Sequence, residues 1–353
     1  MKLLQKTTIT AAALILSGSA FADTSTTPST TKKQLNAGYT AAAETHLNRA
    51  WDAYVTANFI YWEALQDNME LGVVSPPTTS AVTIDGSVIN SNAGYKPGFQ
   101  VGLGFGSNYD GWNTEIEYTW FHSNQHTQKT LGSSSTSVIF PLWLSPQGNT
   151  FQSASEKWKL ELNALDWVLE RTSLIGKKLL IKPFFGLRAA WIDQKADVDY
   201  LLAATDTTVF YKGKSNSWAI GPEIGLSSRW LLGKGFKLYG DLETDILYTR
   251  YTSLDSQEGR ELSTGETTIR RDIRQHNLSL LRPHCDLELG LSWGCYFGCR
   301  DFHLDLSLGY GFQVFWDQNM FRHFADDVEK ASSFSSSGNL YIQGLTASVR
   351  FDF

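Results

Sequence analysis

Between Pro97 and His122 large apolar residues fall on every second position, in two runs joined by a polar turn. The first run sets Phe99, Val101, Leu103 and Phe105 against Gln100, Gly102, Gly104 and Gly106. The turn Ser107–Gly111 carries Asn, Asp and Gly, residues suited to turn backbone. The second run sets Trp112, Ile116, Tyr118 and Trp120 against Asn113, Glu115, Glu117 and Thr119. A period of two puts the two sets on opposite strand faces, so the stretch predicts an antiparallel hairpin. A soluble sandwich alternates as well, but gives aromatic strand ends no special place. A membrane barrel turns the apolar face to lipid, with aromatic girdles at both interfaces. Trp112 and Trp120 share a face eight residues apart, a rise of roughly 20 Å for a strand tilted near 40°.

The same period predicts ten strands along the chain. The first runs from Trp51 to Tyr61, and the hairpin supplies the second and third. The fourth shows Trp158, Leu160, Leu162 and Ala164, then changes phase to Leu165, Trp167 and Leu169, which reads as a bulge. The fifth to ninth centre on Leu179–Trp191, Trp218–Trp230, Phe236–Tyr248, Leu281–Trp293 and Phe302–Trp316. The tenth has Leu340 and Ile342, a slip at Gly344, then Leu345, Ala347, Val349, Phe351 and Phe353. Connections after even-numbered strands are short; those after odd-numbered strands run to roughly 20–40 residues. Short turns at one end and long loops at the other mark an outer-membrane barrel. A further hairpin at Thr207–Tyr211 or Val138–Leu144 would raise the count to twelve. The fold class predicted is therefore all-β: a transmembrane antiparallel up-and-down barrel of 10–12 strands, with long extracellular loops and short periplasmic turns. Eleven of twelve tryptophans fall at or near strand ends, leaving only Trp143 in a loop, as an aromatic belt requires. The terminal Phe351 and Phe353 resemble the signal by which such proteins engage the barrel-assembly machinery.

Composition adds to this picture. The chain has 353 residues, 19% of them charged and 13% aromatic, with a mean hydropathy of −0.23. No apolar run reaches the roughly 20 residues of a membrane helix. Met1–Ala22 reads as a secretory leader: Lys2 and Lys6, an apolar stretch Ile9–Leu16, and an Ala20-Phe21-Ala22 cleavage site. Residues 23–50 read as a periplasmic linker with a short helical patch, and 51–353 as the barrel. Removing Lys2 and Lys6 takes the net charge from −6 to −8, and the remaining bases are dispersed, which excludes a nucleic-acid surface. Cys295 and Cys299 flank one turn and Cys285 stands apart. The pair fits a local disulfide, an intermolecular one or two free thiols, and does not call for a metal.

Several stretches, in order along most of the chain, resemble the Legionella-type major outer membrane protein family, which includes MOMP-like proteins of environmental chlamydiae. They include Phe59-Ile60-Tyr61-Trp62, Pro97–Phe105, Gly111-Trp112 with Tyr118–Phe121, Trp158–Leu160 with Asn163–Asp166, and Lys182–Arg188 with Ala190-Trp191. Gly221-Pro222, Leu232–Phe236, and Leu281–Pro283 with Leu289–Leu291 continue the series. The resemblance implies a pore-forming barrel in the bacterial outer membrane. It implies no catalytic motif and no cofactor.

With the apolar faces in lipid, the opposite faces line the lumen. Strands seven to nine then offer an acidic wall, Asp241, Glu243, Asp245, Asp286, Glu288, Asp301 and Asp305. Strand five offers a basic wall, Lys178, Lys182 and Arg188. Opposed walls would set up a transverse field that filters ions and small polar solutes. In a barrel this narrow the same charges could instead neutralise one another across a filled core. Two function classes follow: a porin-like pore, or a surface protein anchored by a plugged barrel. An enzyme is not expected. Asp301-x-His303-x-Asp305 and His122 with His126 are the only arrangements suggestive of acid–base chemistry, and no spacing sets a nucleophile beside them. The expected surroundings are outer-membrane lipid and lipopolysaccharide, with homo-oligomers left open.

Overall fold

The computed structural model describes residues 47, 52–76, 85–106, 112–132, 136–144, 151–175, 178–202, 205, 207–298, 301–324, 333–335 and 337–353. The leader, nearly all of the linker, Trp51, the turn 107–111 and Cys299 lie outside the described residues, and so does the Cys295–Cys299 pairing.

Ten long strands form the wall: β1 (Asp52–Gln66), β2 (Tyr95–Gly106), β3 (Trp112–Thr130), β4 (Phe151–Arg171), β5 (Leu179–Leu202), β6 (Thr208–Gly233), β7 (Phe236–Glu261), β8 (Leu278–Phe297), β9 (Phe302–Asn319) and β10 (Gly338–Asp352). Each pairs antiparallel with the next. β10 closes on β1, from Tyr54↔Asp352 to Gln66↔Leu340. Closure leaves no unpaired edge, which a sheet in lipid requires. At the turn end, β6 and β7 meet through Lys234 and Gly235, both at positive φ (53° and 87°), the twist a two-residue hairpin needs.

The loops differ from the expectation. β5, β6 and β7 run 24, 26 and 26 residues, so the connection after β5 shrinks to 203–207. Thr207–Tyr211 leads into and opens β6, while Val138–Pro141 pairs with the short strand Gly72–Ser75, which also pairs with Ser87–Ile89. Neither stretch adds a further strand to the barrel wall. After β7, Thr267–Gln275 folds back on β7's outer end.

Outward side chains in the turn-side half are apolar and open: Leu281 is 68% exposed, Ile224 61% and Leu103 58%. Exposure of that size, continuous around the wall, marks a lipid-facing belt. On β6 the outward Trp218 and Trp230 stand twelve residues apart, roughly 30 Å of rise with both girdles included. The upper girdle is in register: Trp120 opposes Asn163, Asn163 opposes Trp191, and Trp191 opposes Trp218.

Past that row the faces exchange character. On β4, Lys157, Lys159 and Glu161 point outward, while Trp158, Leu160, Leu162 and Ala164 are buried inside. β4 pairs without a shift from Ser153 to Glu170 on β5 and throughout its pairing with β3. The bulge predicted there is absent: the strand keeps its phase, and it is the surroundings of each face that change. The same holds for β10, which pairs without interruption through Gly344 while Leu340 and Ile342 point inward and Leu345 to Phe351 outward. Trp62 and Trp158 accordingly sit in the interior, not in a girdle. β5 continues eleven residues beyond Trp191, about 35 Å of strand standing clear of the membrane.

Candidate functional site: the barrel lumen

Inside the membrane-crossing half the lining is ionisable. Alternation along each strand turns Glu115, Glu117, Asp166, Glu170, Glu223, Asp241, Glu243, Asp245, Asp286, Glu288, Asp305 and Asp352 inward, against Lys182, Arg188, Arg229, Lys237, Arg282 and Arg350. Acids outnumber bases. Glu115, Glu117, Asp166, Glu170, Glu223 and Asp352 were missed from sequence, as were Arg229, Lys237, Arg282 and Arg350. Their signal was the strand parity already in hand, which was applied to only four strands and, on β7 and β8, to the acids alone.

Arg188 is the centre. Its Nε lies 2.6 Å from Asp166 Oδ1, and its Nη1 lies 2.5 Å from Glu243 Oε1 and 3.2 Å from Asp245 Oδ2. Glu223 approaches Nε at 3.9 Å. His284 Nδ1 stands 2.8 Å from Nη1 and 2.7 Å from Asp245 Oδ2, so it accepts from the one or donates to the other. The acidic and basic walls therefore touch. No gap separates them: the Arg188 guanidinium on β5 meets side chains of the flanking β4 and β6 and, past β6, of β7 and β8.

The remaining candidates pair locally. Lys182 bonds Glu170 (2.7 Å), Arg229 bonds Asp241 (2.6 Å), and Lys237 bonds Asp305 (2.6 Å). Tyr239 donates to Glu288 at 2.6 Å, and Asp286 faces inward on β8, one inward step from Glu288. Lys178 and Asp301 are not wall residues. Each lies in a periplasmic turn, Lys178 exposed and Asp301 half-buried, because β5 begins at Leu179 and β9 at Phe302.

A second knot closes the turn-side rim. The Arg350 guanidinium stacks 3.5 Å over the Tyr54 ring, and Tyr54 donates to Glu115 Oε2 at 2.9 Å. Arg350 and His303 both hold Asp352, at 2.8 and 2.9 Å. Gly104 makes room for this packing, since a Cβ there would enter the Tyr54 ring.

Acid–base candidates are not brought together. His303 is taken up by Asp352 and Asp305 by Lys237. His122 packs against Trp120, ring centroids 4.2 Å apart and tilted by 34°, and His126 bonds the Glu156 carbonyl. Glu243, Asp245 and His284 do offer three ligand-type atoms within 4.8 Å of one another. Arg188 Nη1 already sits among them, so a fixed cation fills the place a metal ion would take.

Towards the loop end the interior becomes apolar. Ile60, Trp62, Phe121, Trp158, Leu160, Ile192, Val198, Tyr200, Tyr211 and Ile342 meet side chains carried in by the loops, among them Leu71, Ile139, Trp143 and Phe321. Trp143 donates to the Glu70 carbonyl at 3.0 Å and packs on Tyr211 and His323. Tyr200 donates to the Leu71 carbonyl. The tryptophan predicted to lie in a loop does so, and forms the middle of a plug. Glu156 is buried in the same region, and neither of its carboxylate oxygens makes a hydrogen bond among the described residues. Burial pushes this carboxyl up to about 7; the nearby Ser91 hydroxyl eases the charge and Glu70 adds to the burden. A cavity of about 110 Å³ lies beside it, lined by Glu70, Asn90, Ser91, Gln125 and Trp158 among others.

The model of one protein family, described as the Legionella pneumophila major outer membrane protein precursor, matches residues 43–353. No curated protein sequence matches the chain. Among solved structures, the Escherichia coli outer membrane protease OmpT is similar at 10% identity and a TM-score of 0.36, over 86% of this chain and 96% of that one. The Pseudomonas putida toluene transporter TodX is similar at 10% identity and 0.33, over 86% and 89%. A major outer membrane protein of Thermus thermophilus is similar at 10% identity and 0.29, over 86% and 100%. The barrel itself is read from the strand registers, not from these likenesses.

Proposed function

The chain belongs to the family of the Legionella pneumophila major outer membrane protein, and from that premise we propose that it is a porin-like protein whose lumen is shut in this conformation. Ions and small polar solutes pass when the loop-borne plug yields. The observation that carries the proposal is the contrast between the two halves of one interior. The loop-side half is filled with apolar side chains, so an uncharged filling was open to this barrel throughout. The membrane-crossing half instead keeps ionisable groups, whose charged forms cost several kcal/mol each to bury unless paired or hydrated. Both Glu223 oxygens, Asp245 Oδ1 and His284 Nε2 make no hydrogen bond among the described residues, chemistry that water or a passing ion would satisfy. The excess of acids favours cations.

The apolar plug itself favours a second reading, a permanently filled barrel that anchors surface loops. Planar-bilayer conductance of refolded 23–353 separates the two. Rare discrete steps in the wild type, and frequent ones in Trp143→Ala, support the pore. Silence from both proteins, with folding verified by heat-modifiability and circular dichroism, overturns it in favour of the anchor.

A further inference from the structure

Above the tryptophan row, the outer wall carries three lysines side by side on neighbouring strands. Lys159 on β4 opposes Lys195 on β5, and Lys195 opposes Lys214 on β6. All three point outward, by the same alternation that turns Trp191 and Trp218 outward. Directly opposed side chains in a sheet have Cβ atoms about 5 Å apart, and like charges so placed destabilise the pair. No carboxylate is interleaved within the row itself: among the described residues none of the three makes an ion pair, and Asp193, close enough to interact with Lys195 and Lys214, bonds neither. The nearest outward acids are offset. Glu161 and Asp193 sit one outward step below the row, and Asp197 one step above, between Lys157 and Lys212.

The height of the row identifies what meets it. On each of β5 and β6, the lysine lies four residues beyond the girdle tryptophan, roughly 10 Å of rise at the usual tilt. Tryptophan rings mark the headgroup level, and lysine side chains bend back toward it with their stems along the wall. A row of three ammonium groups there faces the polar layer of the outer leaflet, not bulk water and not hydrocarbon.

We propose that Lys159, Lys195 and Lys214 form a binding site for the phosphate headgroup of an anionic glycolipid in the outer leaflet. One phosphate between neighbouring lysines removes the mutual repulsion and supplies the acceptors their N–H groups lack. The acids above and below fix the vertical limits of the site. The site lies on the outer wall and does not depend on whether the lumen conducts.

The test uses refolded 23–353 in detergent micelles doped with a bis-phosphorylated glucosamine lipid, and reads bound lipid by native mass spectrometry. The wild type should retain this lipid and release its dephosphorylated form. The triple variant K159Q/K195Q/K214Q should retain it roughly tenfold less or weaker still, because each lysine beside a phosphate adds its own attraction. A control that removes three exposed lysines elsewhere, K129Q/K178Q/K234Q, should match the wild type. Lys195→Gln alone, expected to lose roughly two- to fivefold, keeps the question answerable if the triple variant fails to refold. Equal retention of phosphorylated and dephosphorylated lipid overturns the proposal, as does an equal loss in the control. Complete displacement by millimolar inorganic phosphate also overturns it, because the site would then hold any free anion and not a membrane lipid.

Discussion

Glu156→Gln tests the plug at its least comfortable residue. The Glu156 side chain lies inside the apolar end of the barrel, outside the membrane-crossing part of β4. It opposes Thr127 on β3 and Val198 on β5, with Tyr200, Ser91 and Glu70 nearby. Its folded pKa of about 7 stands above the ordinary 4.5. Between these values the folded state holds a proton that the unfolded chain has released, so stability falls as pH rises from about 4.5 to about 7, and stays reduced above. A difference of about 2.5 units corresponds to roughly 3 kcal/mol. Glutamine keeps the shape and cannot ionise. Whatever its amide costs is the same at every pH, so the difference between two pH values isolates the charge. The assay is the midpoint of heat-modification on a gel, for both proteins, at pH 5 and pH 8.5. The variant should gain on the wild type by roughly 5–10 °C more at pH 8.5 than at pH 5. An equal difference at the two pH values would refute the reasoning and return Glu156 to a hydrated setting.

Other perturbations follow from the same geometry. Arg188→Met removes the partner of Asp166, Glu243 and Asp245 and should cost about 3–5 kcal/mol in urea unfolding; adding Asp166→Asn and Asp245→Asn should recover much of it. Glu243→Gln with Asp245→Asn should lower the cation-over-anion permeability ratio of any channel measured in an asymmetric salt gradient; reversing both to lysine would set two ammonium groups against Arg188 and is expected to impair refolding instead. Gly104→Ala places a methyl in the Tyr54 ring, which Arg350 and Glu115 hold in place, and should cost about 1–3 kcal/mol, read as a lower heat-modification midpoint.

Strand number, closure and the lipid-facing belt were legible because one period, two, governs all three. From Phe99 to Phe105 a lipid-facing residue and its small inward neighbour differ so sharply that face assignment needs no partner. Along Trp158–Leu169 the same logic misled. A change of phase in a one-dimensional pattern looks alike whether the strand slips or its two environments trade places, and only the register with β3 and β5 tells them apart. The upper ends of β5 and β6 were read as loops for a related reason. Outside the membrane their outward positions are charged and their inward ones include Gln194, Ala196, Ser215 and Ser217, a contrast too shallow to stand out. Individual wall charges were legible by parity. The Arg188 cluster was not, because it depends on how far one side chain reaches past its neighbouring strands, to Glu243 and Asp245 on β7 and His284 on β8.

The exchange of faces past Asn163 sets a waterline. Were the barrel to settle deeper by a few residues, Lys157, Lys159 and Glu161 would enter hydrocarbon, where a charge on the outer wall costs up to about 2–4 kcal/mol near the midplane. Were it to ride higher, Leu165 and Trp167 would be lifted into water. Each error is opposed by several strands at once, since β5 and β6 repeat the pattern beside β4. Immersion depth is thus written into the wall itself, and the tall outer portion is held at one constant height above its neighbours in the leaflet.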